Sequence, residues 1–519
     1  MKRLDRETIK TELEKPNGST LLANDPKIDK AALLDETAAL YIEEGIGSSL
    51  LVRMLKSRMY MLRLSMYPGI LPAVRGYLRS DSPKLRRNSA QLLAKLSRDA
   101  ADAELLIDCL GNEDTRFVRP SLLLALGTIG GEDARKALDE YTPAPPADET
   151  EEKHYQAECE ALRLARVTCM KHEKHNFIGL DRVYEIELSA PDRLSEQLKE
   201  ELEELDFPVS SVRRASLSVK TRDYLGLFNA RCFSEALFPI ARGVSLKPET
   251  VAQLSKAFML RFMKATHGGT PPYRYRIEIE GDMDGRTEYK HAVRDLIDDD
   301  EIVNAPSDYE IELRIAAAGN ASRLYLKLYT VPDERFFYRL ETVPASMNPA
   351  TAAAMLRFAM DHLTSNARVI DPCCGSGTLL FERGLLSPCA SLTGVDIAHN
   401  AIDAARTNAA AAAKRGIKQA KFICNDILRF ESKRPYDELI CNLPFGNRVG
   451  THSSCERLYE GLLDRLPQLV RRDGIAILYT MEFTLLKNLI RTRPYLEILK
   501  QERTEAGGLT PMIFILKIH

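Results

Sequence analysis

The chain has 519 residues, 45% apolar and 28% charged, with net charge −2 and mean hydropathy −0.24, and at roughly 100–200 residues per domain it has room for about three domains. No run of about 18 apolar residues occurs and the opening MKRLDRETIKTELEK is charged throughout, so neither a membrane span nor a secretory signal is expected. Ten cysteines without a Cys-x-x-Cys pair argue against a zinc module and a disulfide framework, so the expectation is no metal and a reducing, cytoplasmic setting.

Residues 1–145 read as an all-α domain. The stretches 84–97 and 116–130 align at an offset of 32 residues, with Arg87 on Arg119 and Leu92 on Leu124. A period in the thirties on paired helices marks a solenoid, and the pair resembles HEAT-like repeats; an ordinary helical bundle would give the same pattern. Residues 51–98 hold eleven Lys/Arg against one acid, Asp81. They suit either a surface for a protein or nucleic-acid partner or an arginine ladder between helices. The run Thr142-Pro-Ala-Pro-Pro is an extended connector, because proline removes donors and disfavours helix before it.

After a helix over 151–172, the period becomes mixed. Strands are expected at 183–188, 211–221, 274–281, 309–316 and 323–330, with helices at 194–205 and 288–298, an α+β region. Residues 151–345 carry 28 basic and 34 acidic side chains, so any nucleic-acid footprint there must be local. From 346 onward short apolar strands alternate with helices, at 368–371, 391–396, 420–426, 436–442 and 474–480. A terminal hairpin follows at 495–503 and 511–518. That pattern is a Rossmann-like, mostly parallel sheet whose ligands bind at the carboxyl ends of its strands.

Those strand ends carry the chemistry. Asp371-Pro-Cys-Cys-Gly-Ser-Gly-Thr378 joins a strand to a helix, and its glycines let a ligand approach the backbone. No Gly-Lys-Ser/Thr follows, so it is not a P-loop. Asp396 ends the next strand, where a carboxylate can accept both ribose hydroxyls, and Asn425-Asp426 ends the third, where an acceptor can meet an adenine amine. Asn442-Leu-Pro-Phe-Gly446 ends the fourth. The amide oxygen of Asn442 and the carbonyl of Leu443 can accept hydrogen bonds from an exocyclic amine. Pro444 fixes the turn, and Phe445 offers a face for a base.

This order of motifs resembles the class I S-adenosylmethionine-dependent methyltransferases that modify exocyclic amines. Within them it resembles the THUMP-containing RNA guanine-N2 methyltransferases. The likeness covers about 175–519, including a ferredoxin-like module at 183–240, with 225–238 in the place of its closing helix, and a divergent THUMP domain at 274–340. It implies three domains: HEAT-like repeats at 1–145, a ferredoxin-like plus THUMP-like RNA-binding region at 175–342, and a Rossmann-like methyltransferase domain at 343–519. It further implies S-adenosylmethionine as cofactor, held by Asp371, Cys373, Gly375, Gly377, Thr378, Asp396, Ile397, Asp426, Ile427 and Asn442. Asn442, Leu443, Pro444 and Phe445 would form the catalytic motif. The implied reaction is methyl transfer to guanosine N2 in RNA, foremost tRNA. The alternatives are rRNA guanine-N2, adenine N6 in nucleic acid, or a non-catalytic RNA-binding scaffold. Arg213, Arg214, Lys220 and Arg222 are the expected RNA-binding cations, gathered on one face. The N-terminal repeats depart from the family layout and leave room for a protein partner.

Overall fold

The computed structural model describes residues 2–519 except 147, 170–174, 320, 345, 418–419, 446–451 and 506. It divides into two compact units, Met1–Lys174 with Val303–Tyr309, and His175–Ile302 with Glu310–His519.

The first unit is helical. Helices Pro83–Leu96, Ala101–Gly111, Arg119–Ile129, Glu132–Glu140 and Glu149–Cys169 follow one another, each burying a leucine- and alanine-rich face in one core. Ser82 caps the first of them by accepting from Leu85 N–H, and Pro83 opens it where no amide partner is needed. Gly127 marks the tightest approach: a Cβ there would lie 2.6 Å from Cα of Ala165 in the final helix. Much of the basic stretch 51–98 is a ladder between helices. Arg63 pairs with Asp35, Arg75 with Asp102 and Asp99, Arg79 with Asp108, and Arg86 with Glu113. Among the described residues, no helix is long and apolar enough to cross a membrane.

The second unit contains two sheets. The first comprises β1 (Tyr184–Ser189), β2 (Val209–Val212), β3 (Ser216–Thr221), β4 (Glu235–Ser245), β5 (Tyr273–Glu280), β6 (Ile302–Asn304), β7 (Ile311–Ala318) and β8 (Ala321–Leu328), in the order β2-β3-β1-β4-β8-β7-β5-β6. All the registered pairs are antiparallel except β5 with β7. Two sequence expectations are corrected here. Residues 225–238 do not form a closing helix: a 3₁₀ turn at Gly226–Asn229 leads into β4, whose Phe238 pairs with Leu326 of β8. The expected strand 211–221 is a hairpin of β2 and β3. A helix for which no element was expected, Pro248–Thr266, packs Phe262 and Met263 into the core.

The second sheet comprises β9 (Ala367–Asp371), β10 (Cys389–Asp396), β11 (Lys421–Cys424), β12 (Tyr436–Asn442), β13 (Val470–Thr480), β14 (Leu496–Arg503) and β15 (Met512–Ile518). Its order is β11-β10-β9-β12-β13-β15-β14. β9 to β13 run parallel and β15 antiparallel between β13 and β14. This is the Rossmann-like, mostly parallel sheet that the sequence pattern predicts. Its strand order reverses beside β9, so loops after β9, β10 and β12 open around one crevice. Bidentate bonds from Arg231 to Glu382, both 2.8 Å, and a 2.5 Å bond from Tyr338 to Glu382 tie the two sheets' surroundings together.

Candidate cofactor and target-base site

Asp371 ends β9 almost fully buried, and its Oδ1 accepts the Cys373 N–H at 3.1 Å. Burial, reinforced by the nearby Asp396 carboxylate, raises its pKa well above the ordinary range. The backbone then doubles back through two left-handed glycines, Gly375 at φ +51° and Gly377 at φ +86°. At Gly377 a Cβ would meet the Phe381 ring at 2.7 Å and Phe422 at 3.1 Å, so only glycine fits the turn that starts the helix Thr378–Leu386. Thr378 Oγ1 is buried there with no hydrogen-bond partner among the described residues.

Asp396 is held rather than free. Its Oδ2 accepts Gly375 N–H and its Oδ1 accepts Ala398 N–H, both at 2.9 Å. Each oxygen keeps a second lone pair, so the carboxylate is oriented by the glycine turn and can still receive hydroxyls. Ile397 beside it is 74% exposed. Past β11, Asp426 accepts Leu428 N–H at 2.9 Å. Ile427 lies in the core with Val395 and Leu443, and its carbonyl takes an Arg465 N–H at 2.9 Å.

The strand register Leu439↔Ile370 between β12 and β9 carries Asn442 two residues beyond Asp371 on the same sheet edge. Leu443 is buried and donates its N–H to the Tyr479 carbonyl at 2.9 Å. A hydroxyl chain fixes the next residue. Tyr459 O–H donates to the Pro444 carbonyl at 2.7 Å, Thr480 lies 2.6 Å from Tyr459, and Glu482 N–H donates to Thr480 at 2.8 Å. Phe445 sits 5.9 Å from the Tyr479 ring at an interplanar angle of 58°. Asn442 Oδ1 is buried and has no hydrogen-bond partner among the described residues. A bare amide acceptor of this kind costs about 1–3 kcal/mol unless something donates to it. Gly446, the last residue of the motif, lies outside the described residues.

Burial pushes Cys374, Cys441 and Cys455 up, and the Cys441 thiol is further raised by its hydrogen bond with Cys373. No group of three or more His, Cys, Asp or Glu able to hold a metal occurs among the described residues.

The four expected RNA-binding cations do not form one patch. Arg213 and Arg214 sit at the tip of the β2–β3 hairpin, where Arg213 pairs with Glu187 at 3.0 Å and Arg214 with Asp192 at 2.6 Å. Lys220 and Arg222 lie at the opposite end of β3, and Arg222 donates to the Leu180 carbonyl at 2.9 Å. Two of the four are thus neutralised by carboxylates that approach from distant sequence.

Two positioning residues were not foreseen. Asn408 is fully buried; its Oδ1 accepts Leu340 and Glu341 N–H at 2.9 Å, and its Nδ2 donates to the carbonyls of Glu341 at 2.8 Å and Ser376 at 3.0 Å. It staples the segment before the methyltransferase sheet onto the glycine turn. Its signal is a lone amide on the inner face of an alanine-rich helix. Tyr459 gives no comparable signal, since its role depends on a carbonyl fifteen residues away.

Comparison with known proteins agrees with this architecture. Residues 337–511 match the family described as RMKL-like, methyltransferase domain, and residues 70–157 match HEAT repeats. A tRNA (guanine(6)-N2)-methyltransferase of Methanocaldococcus jannaschii is 24% identical over 35% of this chain and 56% of its own length. A tRNA (guanine(10)-N2)-dimethyltransferase of Methanothermobacter thermautotrophicus is 27% identical over 31% of this chain and 45% of its own. The chain therefore spans about half the length of these curated relatives. A solved structure of a candidate methyltransferase complexed with SAH superposes with TM-score 0.52 at 13% identity, over 65% of this chain and 99% of that one, a likeness of fold. Residues 337–511 are thus similar to a methyltransferase domain, on a sheet of Rossmann-like fold. The relatives named for tRNA guanine-N2 methylation are what that domain is similar to.

Proposed function

We propose that the chain is an S-adenosylmethionine-dependent RNA methyltransferase acting on the exocyclic N2 amine of a guanosine, in tRNA. The observation that carries this is the unpartnered, buried Oδ1 of Asn442 beside a proline-fixed turn at the end of β12. The names of the curated relatives support the choice of tRNA and guanine.

The cofactor fits the residues present. The left-handed glycine turn leaves open backbone, Thr378 Oγ1 lacks a partner, and the oriented Asp396 carboxylate has lone pairs to spare. Asp371, Cys373, Gly375, Gly377 and Thr378 would lie along the amino-acid side, Asp396 and Ile397 at the ribose, Asp426 and the Ile427 backbone at the adenine. When bound, S-adenosylmethionine supplies an electrophilic methyl group. Asn442 Oδ1 and the Leu443 carbonyl accept the two N–H bonds of the target amine. That pulls its lone pair out of ring conjugation and favours the positive charge that develops on nitrogen. Tyr459 holds the Pro444 carbonyl and so keeps both acceptors aimed; Phe445 gives the base a stacking surface. The central sheet with the hairpin is read as a THUMP-like RNA-binding region. A guanosine inside a duplex must leave its stack first.

Asn442→Ala is expected to lower the methyl-transfer rate on the order of 100-fold or more, the usual scale for removing one polar group aimed at developing charge. S-adenosylmethionine affinity should change far less. Mass spectrometry of tRNA and rRNA from a deletion strain, with isothermal titration of the cofactor, tests the reading. Loss of a methylguanosine from tRNA is expected. Loss from rRNA alone, or of N6-methyladenosine, would redirect the substrate, and absence of cofactor binding would end the reading.

A further inference from the structure

In the helical unit, a cavity of about 440 Å³ lies between residues 13–20, 49–56 and 84–91. It is lined by Lys15, Arg53, Lys56, Lys84 and Arg87 and, among the described residues, by no acidic one. Lys84, Arg87 and Gln91 recur at intervals of three and four on helix Pro83–Leu96, so they share one face.

Most of these cations differ from the ladder arginines of the unit in having no carboxylate partner. Arg63, Arg75, Arg79 and Arg86 each meet a carboxylate on a neighbouring helix. Arg53, Lys56 and Lys84 are exposed, and no carboxylate lies within 4.0 Å of them among the described residues. Lys15 alone of the five has one, Glu12, at 2.6 Å.

Arg87 is the informative case, because the next repeat provides its control. The aligned Arg119 donates to the Glu113 carbonyl at 2.9 Å and lies 3.6 Å from the buried Glu158. Arg87 instead has a weak 3.4 Å bond to Asn88 and lies 6.0 Å from the centre of the Phe117 ring, and its buried Nε has no hydrogen-bond partner among the described residues. Asn88 is itself pinned by bonds of 2.9 Å to Ser48 and Ser49, which hold the cavity wall. A ladder arginine has been left facing a hollow where its repeat-mate has a carboxylate.

Unpaired like charges crowded around a concavity repel one another unless an anion enters. A single carboxylate would not balance several cations. A chain of phosphodiesters would, with phosphates at regular spacing and with 2′-hydroxyls for the amides and hydroxyls of the wall. We propose that this cavity is a docking site for the phosphate backbone of RNA, separate from the crevice that takes the target base. The choice of RNA rests on the function proposed above; the presence of a polyanion site does not.

The test uses the full-length chain and an unmodified tRNA transcript, with affinity measured across a salt series. Each phosphate that is no longer neutralised should reduce the slope of log K against log salt by about 0.7–0.9. The variant Arg53→Gln/Lys56→Gln/Lys84→Gln should therefore lower that slope by about 2.1–2.7 and bind the transcript roughly tenfold or more weakly at low salt. S-adenosylmethionine affinity should stay at wild-type value. Lys84→Gln alone, a single exposed change, should lower the slope by about 0.7–0.9 and covers the case in which the triple variant folds poorly. Arg79→Gln, which removes a cation already paired with Asp108, should leave the slope unchanged.

Unchanged slope and transcript affinity in a folded triple variant would overturn the proposal. So would a result in which the triple change abolishes binding of inorganic phosphate or a mononucleotide while transcript affinity is untouched, since the cavity would then serve a small ligand. The readout is binding, so the two proposals fail separately. A reduced slope without methylation of any RNA would keep the docking site and end the catalytic reading. Methylation with unchanged slope would do the reverse.

Discussion

His267 shows how far one side chain can be bent to its surroundings. It is 4% exposed, with Nδ1 2.9 Å from Thr266 Oγ1 and Nε2 2.8 Å from Thr330 Oγ1. Burial pulls its pKa from 6.5 down to about 4; the charge of Glu310 opposes the shift and His175 adds to it. Between pH 6.5 and 4 the unfolded chain binds a proton that the folded chain refuses. Stability therefore rises with pH in that window and is lost on acidification, by on the order of 3 kcal/mol in all. His267→Gln, which can still meet a hydroxyl, should flatten the stability curve between pH 6.5 and 4. Urea titrations at several pH values would measure it, and an unchanged curve would assign the acid sensitivity elsewhere. None of this is legible in the sequence, because a histidine's environment is made by residues such as Thr330, 63 positions away.

At the level of elements, the pair Arg383–Glu438 joins the helix after the glycine turn to the middle of β12. Both side chains are fully buried; Nε to Oε2 is 2.7 Å and Nη2 to Oε1 is 2.9 Å. Thr364 and Ser387 complete the set: Thr364 gives its N–H to Glu438 at 2.7 Å and takes an Arg383 N–H at 2.9 Å, and Ser387 Oγ takes another Arg383 N–H at 2.8 Å. Arg383→Met should cost about 3–5 kcal/mol, because it strands a carboxylate in the core. Arg383→Met combined with Glu438→Met should recover part of that loss, short of the whole because Thr364 keeps unmet polar groups. Chemical denaturation of both variants would decide; a single variant as stable as wild type would contradict the account. The elements themselves were legible to differing degrees. Parallel strands buried on both faces read as short apolar runs ending in Asp371, Asp396 or Asn442, and the terminal hairpin follows from a spacer too short for a helix. The closing helix expected at 225–238 came from the family resemblance; a 3₁₀ turn at Gly226–Asn229 and the pairing of Phe238 with Leu326, 88 residues on, take its place. Pro248–Thr266 had its signals in place, with proline and Glu249 in the first turn and Lys264 in the last.

At the scale of the whole molecule, the helical unit is discontinuous. Val303–Tyr309 belongs with Met1–Lys174, and Arg163 donates to the Asn304 carbonyl at 3.0 Å. A fragment beginning at His175 should lose amide protection over 305–309, past the end of β6, while keeping it in β9 and β12. Hydrogen exchange on the fragment and the full chain would show it, and equal protection at 305–309 in both would refute the assignment. The motifs at the strand ends of the methyltransferase sheet could be read locally. The tie between 303–309 and the helices could not, since it joins segments some 140 residues apart with no shared pattern.

That excursion bears on how the molecule can be taken apart or rebuilt. A repeat array joined by one linker could be exchanged for another by a single cut. Here the chain crosses between units after Lys174, after Ile302 and after Tyr309. A graft made only at the first crossing would leave an orphaned loop behind, and whoever swaps the array must redesign seven residues deep inside the other half of the gene.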